Sequence, residues 1–481
     1  VQTPVESRPS APAVPALAAR PVIAIAAVVA LAHLACGFGR GYWFDEAYML
    51  AIGRHHLDWG SADQPPIAPA LAAALDWLAP DSPVVIRIPA ILATAAAVLV
   101  AALIAREFGG DRRAQIITAL AQATALWATL TGHWLTPYTL EPVQWLLLLW
   151  LLVRWVRVRD DRLLLALGLV VGIAAETKFQ VLLLCVMLGV SALVFGPREL
   201  ARRPMLWAGA GLALLIALPT LVWQARHDWP QLRMGPVVAS EAAALYGGRP
   251  GVAVALIIMA GVAGTVLALY GLWQLLRARE LRAYRFVGVT AVALYVFFVA
   301  TDGRPYYLGG LYGILFAAGA IGFQRRRLAG GRLRWAVWPA GVLSVAAAAG
   351  MLVVSVSADD PGPGEKIAGR TMTAYRQLSP RERDSTVVVG ESYIVAAYLD
   401  VYGHDLPPVY STNRSYGYFP PPPDSARDAL YVGKAPDELR DRFASCRKLF
   451  DDDEEQQQWL CTDRRDSWKV LWPRLRHLDM R

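Results

Sequence analysis

"YWFDEAYMLAIGRHHLDWG" (42–60) follows almost directly on the apolar run "VIAIAAVVALAHLACGF" (22–38). Residues 21–39 are long enough to cross a hydrocarbon core, which takes roughly 17–25 apolar residues. Two adjacent carboxylates, Asp45 and Glu46, then stand where that first helix ends, with Arg54, His55 and His56 close behind. Charge is costly at the centre of a bilayer and tolerable at its edge, so this stretch opens an extramembrane loop.

The rest of the chain supports the membrane reading. It is 56% hydrophobic and only 18% charged over 481 residues, which argues against a wholly soluble protein. Apolar blocks predict eleven transmembrane helices at approximately 21–39, 88–106, 114–132, 141–158, 162–177, 179–196, 205–223, 251–276, 286–301, 306–323 and 335–357. From Asp359 the composition turns polar, and "STVVVG" (385–390), "PPVYST" (407–412) and "ALYVG" (429–433) read as short strands, with helices near 391–402 and 435–444. The expected architecture is a polytopic α-helical membrane protein with a C-terminal α/β domain. Its parts are a disordered Pro- and Ala-rich tail (1–20), a transmembrane domain (21–357) with a long first outer loop (39–87), and the α/β domain (358–481).

The net charge of +8 is not a nucleic-acid signature, because the arginines lie mostly between hydrophobic blocks. With the N-terminus in the cytoplasm, the inside segments hold 21 Lys and Arg residues and the outside ones 8. The positive-inside rule selects that arrangement, and an odd number of helices puts residues 358–481 outside the cytoplasm. A disulfide between Cys446 and Cys461 fits that compartment. The first apolar run also resembles a signal peptide, but ten further blocks make a retained helix the simpler reading.

Asp45 and Glu46 then lie at the outer face. Loop 39–87 is too long for a simple connection. Residues 45–59 read as an interfacial helix, and "DQPPIAP" (63–69) imposes a rigid bend that holds the loop over Asp45. The same face receives Asp63, Arg87, Lys178 and Arg304, so a carboxylate able to accept a proton shares an edge with cations able to hold an anion.

Several ordered motifs carry a resemblance. "FDEAYMLAIGRHHLDWGSADQPPIAPALAA" with "VIRIPAI", then "LTPYTLEPVQWLL", "TKFQVLL", "LPTLVWQARHDWP", "GRPYYLGGLYGILFAAGA" and "PPVYSTNRSYGYFPPP" are similar to the GT-C membrane glycosyltransferases, in particular the protein mannosyltransferase-like and lipid A aminoarabinose transferase-like family (glycosyltransferase family 39). The resemblance covers most of the chain. It departs at Gln64, where many members have His before the Pro pair.

The resemblance implies a GT-C fold and transfer of a sugar, with inversion, from a polyprenyl-phosphate-linked donor at the outer face. It casts Asp45 as the general base that deprotonates an acceptor hydroxyl, and Glu46 as a group that orients acceptor or donor or helps bind a cation. Asp63 matches the acidic residue of the Pro-Pro bend. Lys178 and Arg304 match basic positions suited to the lipid phosphate, with Arg54 and Arg87 behind them, and Tyr306 and Tyr307 are candidate contacts to donor or lipid. His55, His56 and Glu46 are candidate ligands of a divalent metal, although adjacent histidines alone do not specify a geometry.

Structural roles compete with these. Lys178 and Arg304 also suit helix ends, and Tyr306 and Tyr307 the interfacial belt. "DDDEE" (451–455) reads as a solvated acidic loop rather than a nucleotide-sugar motif. Mannose is the favoured sugar over a pentose or aminosugar, and the acceptor is open between protein, glycan, lipid and small molecule. A lipid-linked-sugar transporter or flippase, or a noncatalytic envelope-binding relative, are the competing functions.

Overall fold

The computed structural model describes residues 14–330, 337–450 and 454–480. In an apolar solvent a backbone must satisfy its own polar groups, so long apolar blocks become helices. All eleven expected segments contain helix: Ala19–Gly37, Pro83–Glu107, Arg112–Ala123 with Leu126–Thr131, Pro137–Val158, Arg162–Ala175, Gln180–Phe195, Pro204–Arg226, Gly248–Ile258 with Val262–Arg277, Arg285–Ala300, Gly309–Leu328 and Val337–Ala358. Among the described residues, six helices are long and apolar enough to span a membrane alone, and a seventh span arises if Pro230–Tyr246 and Gly248–Ile258, bent by 81°, count as one. The helices at 162–175, 180–195 and 262–277 are shorter apolar ones.

Two of the expected spans are interrupted, and the interruptions meet. Trp127 N–H, at the start of the second half of one, donates to the Met259 carbonyl at 3.3 Å. Gly261, at φ +87°, closes the other break so tightly that a Cβ there would lie 2.6 Å from the Thr124 carbonyl oxygen. Each break thus satisfies part of the backbone that the other exposes. Close approach is also built at Gly168, where a Cβ would fall 2.2 Å from the Gly209 carbonyl oxygen, which lets helix 162–175 lie flush on helix 204–226.

The N-terminal segment is held earlier than expected. The first helix begins at Ala19, Ala18 N–H donates to Gln115 Oε1 at 2.8 Å, and Arg106 donates to the Pro15 carbonyl at 3.0 Å. Residues 1–13 of the expected tail lie outside the described residues.

Loop 39–87 folds into two helices, and the first corrects the expectation of an interfacial one. Helix Phe44–His55 is buried continuously from Glu46 to Gly53, clamped between the helical body and the tail. An apolar face is exposed instead on helix Ile67–Leu78, where Trp77 and Leu78 are 85% and 69% exposed.

The tail carries a five-stranded mixed sheet of β1 (Thr386–Gly390), β2 (Val409–Tyr410), β3 (Asp428–Gly433), β4 (Phe443–Lys448) and β5 (Gln457–Arg464), in the order β2-β1-β3-β5-β4. β1 runs parallel to β2 and β3, while β5 runs antiparallel to β3 and β4. The helix expected at 435–444 is a single turn, Asp437–Arg440, followed by the unanticipated β4. β4 is a mostly exposed edge strand without apolar alternation, so its pairing with β5 left little mark in the sequence. Cys446 and Cys461 face each other across that pair and form the disulfide. Of the acidic run, Asp451, Asp452 and Asp453 lie outside the described residues, while Glu454 and Glu455 pair at the surface with Lys366 and Lys434.

Helix Tyr393–Tyr402 packs its apolar side on helix Phe44–His55, in one core that runs from Tyr42 and Tyr48 to Tyr393, Tyr416 and Val432. The tail and the first loop therefore form a continuous cover over one end of the helical body.

Candidate active site

Asp45 and Glu46 occupy the first turn of helix Phe44–His55, where the unpaired amides favour anions. Neighbouring side chains on a helix diverge by about 100°, and the two carboxylates meet different surroundings.

Glu46 is completely buried. It accepts from Arg87 Nη2 at 2.6 Å and Nε at 3.0 Å, from Leu135 N–H at 3.0 Å and from Trp43 N–H at 3.1 Å. Arg87, equally buried, also donates to the Gly41 carbonyl at 2.9 Å and lies 3.2 Å from Asp359 Oδ2. Asp359 in turn takes the indole N–H of Trp134 at 2.5 Å and a nitrogen of His133 at 2.7 Å, and burial pushes its carboxyl up to about 6. This network ties the first loop, helix 83–107, the turn at 133–135 and the entrance to the tail. The geometry makes Glu46 and Arg87 a strut, in contrast to the roles expected for them at substrate.

Asp45 remains partly open. Trp43 Nε1 donates to the Tyr138 hydroxyl at 2.9 Å, which leaves that hydroxyl to donate to Asp45 Oδ2 at 3.1 Å. The Tyr393 hydroxyl, from the tail, stands 3.5 Å from Asp45 Oδ1. Burial pushes the Asp45 carboxyl up to about 6, and the Arg414 guanidinium is the strongest influence opposing the rise, ahead of the Tyr138 hydrogen bond. A carboxylate with that affinity for protons is suited to general-base work near neutrality.

Three cations belong to this region, Arg304 and Arg414 acting on Asp45 directly and Lys178 joined to it through the Tyr306 ring beside Tyr138. Lys178 Nζ lies 3.1 Å from Glu141 Oε2 and sits over the rings of Tyr306 and Tyr307 at 4.9 and 4.7 Å, and burial holds its ammonium below the ordinary lysine range. Tyr306 stacks on Trp127 at 4.2 Å and its ring centre is 5.2 Å from that of Tyr138. Arg304 bonds to Glu241 of helix Pro230–Tyr246, and Arg414 Nη2 bonds to the other oxygen of that carboxylate at 2.6 Å. Arg304 and Arg414 both act electrostatically on Asp45. Asp63 accepts from Tyr48 Oη at 2.8 Å and Ser415 Oγ at 2.6 Å, with Arg414 Nη1 at 3.5 Å.

Of the residues chosen from sequence, the structure gathers Asp45, Asp63, Lys178, Arg304, Tyr306 and Tyr307 in one region. Arg54 is elsewhere, binding Asp76 at 2.6 Å and Asp81 at 2.7 Å and so fastening the two loop helices together. His55 is exposed, and His56 stacks on Phe419 at 4.0 Å, where burial pulls it down to about 4. With Glu46 saturated by Arg87, these three do not form a metal-ligand set, and no cluster of three His, Cys, Asp or Glu suited to a metal occurs among the described residues. Sequence reasoning missed Tyr138, Tyr393, Glu241 and Arg414. Tyr138 and Arg414 lie inside quoted motifs, while Glu241 was legible only as a lone carboxylate in "ASEAAALY".

The helical body thus carries at one end a polar site enclosed by its tail and first loop. Residues 63–223 match the family model described as dolichyl-phosphate-mannose-protein mannosyltransferase. The fold is similar to that of ArnT from Cupriavidus metallidurans in the apo state, at TM-score 0.67 and 17% identity over 91% of this chain and 97% of that one. ArnT bound to undecaprenyl phosphate matches at TM-score 0.66 and 16% identity with the same coverage. The archaeal oligosaccharyltransferase AglB from Archaeoglobus fulgidus, in complex with an inhibitory peptide and a dolichol-phosphate, matches at TM-score 0.51 and 11% identity over 81% of this chain and 64% of that one. No curated protein matches the sequence. Residues 63–223 thus resemble that mannosyltransferase family, and the chain shares its fold with ArnT and AglB.

Proposed function

We propose that the protein transfers a sugar, mannose, from a polyprenyl-phosphate-linked donor to an acceptor hydroxyl at the outer membrane face, with inversion. The carrying observation is the partly open Asp45 carboxylate, oriented by Tyr138, with Lys178 and Arg304 in the same region. Asp45 takes the proton of the acceptor hydroxyl as its oxygen attacks the anomeric carbon. The bond from that carbon to the phosphate oxygen breaks, and the lipid phosphate leaves with the bonding pair. Lys178 and Arg304 stabilise the charge that gathers there. Attack opposite the leaving group inverts the anomeric carbon. The prenyl chain stays among the helices, which accounts for a catalytic site mounted on so large a membrane body.

Two observations support this reading beyond the site. The family model over residues 63–223 is described by a dolichyl-phosphate-mannose reaction, and ArnT, which shares the fold, has been solved with undecaprenyl phosphate. The cytoplasmic N-terminus and external tail rest on the Lys and Arg distribution, and the Cys446–Cys461 disulfide fits an oxidising compartment.

The test is turnover of polyprenyl-phosphate mannose by purified protein and its Asp45→Asn variant, with an envelope extract as acceptor, following product and polyprenyl-phosphate release together. Turnover lost in Asp45→Asn with donor binding retained is expected. Equal turnover by the variant removes Asp45 from the base role. If other prenyl-linked sugars react and the mannosyl donor does not, the choice of mannose falls.

A further inference from the structure

Glu241 is a single carboxylate held between two guanidinium groups, Arg304 of the membrane body and Arg414 of the tail. Both arginines sit in backbone closed by hydrogen bonds, the Arg304 carbonyl accepting from Tyr307 N–H at 3.1 Å. Arg304 lies in the short turn that joins helix Arg285–Ala300 to helix Gly309–Leu328. Arg414 has a positive φ of 47°, a conformation that a non-glycine residue keeps only when its surroundings impose it.

Those surroundings are visible on both sides. Asn413 accepts from Tyr393 N–H at 3.1 Å and donates to the Asp479 carbonyl at 2.8 Å. Ser415 N–H donates to the Tyr48 hydroxyl at 3.1 Å, and Ser415 Oγ reaches Asp63. The guanidinium is laid over the Tyr393 ring at 4.5 Å, and its Nε is buried without a hydrogen-bond partner.

The carboxylate is mounted differently. Helix Pro230–Tyr246 buries only Pro230, Met234 and Ala242, and it meets the next helix at an 81° bend. Two converging guanidiniums present a fork that suits the oxygens of a phosphate as well as those of a carboxylate. A phosphate entering while Glu241 stayed in place would bring like charges together.

We propose that Glu241 is an internal occupant of an anion site formed by Arg304 and the tail residue Arg414, and that the phosphate of a polyprenyl-phosphate lipid displaces it. This rests on the donor class proposed above. It makes the tail a direct contributor to donor binding and makes Glu241 a competitor that weakens it.

The test measures binding of polyprenyl phosphate, polyprenol and inorganic phosphate to the full-length protein in nanodiscs, for wild type, Glu241→Gln, Glu241→Ala, Arg304→Gln and Arg414→Gln, each checked for folding by its thermal transition. Both Glu241 variants are expected to bind polyprenyl phosphate about tenfold more tightly, the factor that follows from removing roughly one charge-assisted hydrogen bond of competition. Both arginine variants should bind it more weakly, and polyprenol should not respond to any of the changes. Unchanged or weaker binding in both folded Glu241 variants, with the arginine effects intact, overturns the displacement while leaving the donor class standing. No polyprenyl-phosphate binding by the wild type overturns both, and inorganic phosphate binding as tightly as the lipid removes the lipid as the ligand.

Discussion

Replacing Asp45 and Glu46 one at a time should give opposite results in stability. Glu46 takes charge-assisted hydrogen bonds from Arg87 and two backbone N–H bonds in a fully buried position. Glu46→Gln leaves Arg87 short of an anionic partner, a change that typically costs about 3–5 kcal/mol when one member of a buried pair is lost. Asp359, at 3.2 Å from Arg87, holds the loss near the lower end of that range.

Asp45→Asn acts the other way. Its carboxyl titrates at about 6 against an ordinary 3.8, so folding penalises the charged form. A gap of that size corresponds to about 3 kcal/mol at neutral pH, and the partial opening of the site reduces it to about 1–3 kcal/mol. The sign follows from proton counts. Between pH 4 and 6 the folded wild type binds more protons at this group than the unfolded chain, so its contribution to stability declines as pH rises through that window. The asparagine variant lacks the slope and is more stable at pH 7.5. Thermal unfolding of the full-length protein in detergent, read by tryptophan fluorescence across this pH range, measures both effects. A Glu46→Gln protein as stable as wild type, or an Asp45→Asn protein less stable than it, refutes the division of the pair into strut and base.

The rate of sugar transfer should fall as pH drops through about 6, because the base must be ionised, and a flat profile down to pH 4 in initial-rate assays removes Asp45 as its source. Lys178→Met should lower kcat/KM for the lipid-linked donor about 100-fold, the usual scale for losing one stabiliser of a leaving anion; a near wild-type value shows that Lys178 serves only Glu141 and the tyrosine rings. Paired Cys446→Ser and Cys461→Ser substitutions open a link across 15 residues and should cost the tail about 3 kcal/mol, measurable as earlier proteolysis of residues 358–481 with the membrane body intact.

Much of the frame could be read directly from the chain. Hydrophobic blocks located the helical segments because apolar length is a local property, and the polar composition after Asp359 marked the tail. Order of motifs pointed to Asp45, and the structure sets Arg304 within electrostatic reach of it and Tyr306 beside its hydrogen-bond partner Tyr138. Helix interruptions at Thr124 and Gly261 were not legible, since each depends on backbone partners supplied by the other.

The remaining decisions are non-local. Asp and Glu at adjacent positions have the same chemistry on paper, and only packing turns one toward Arg87 and leaves the other open beside Tyr138. Tyr393 reaches Asp45 across 348 residues of chain and Arg414 reaches Glu241 across 173, separations over which no spacing rule operates. Sequence alone determined that this is a many-helix membrane protein with an acidic first loop and a polar tail, because hydropathy and motif order are written residue by residue. Which carboxylate is left partly open, which cations act on it and that tail residues reach it were decided by tertiary structure, because charge acts through space and the fold alone sets those distances.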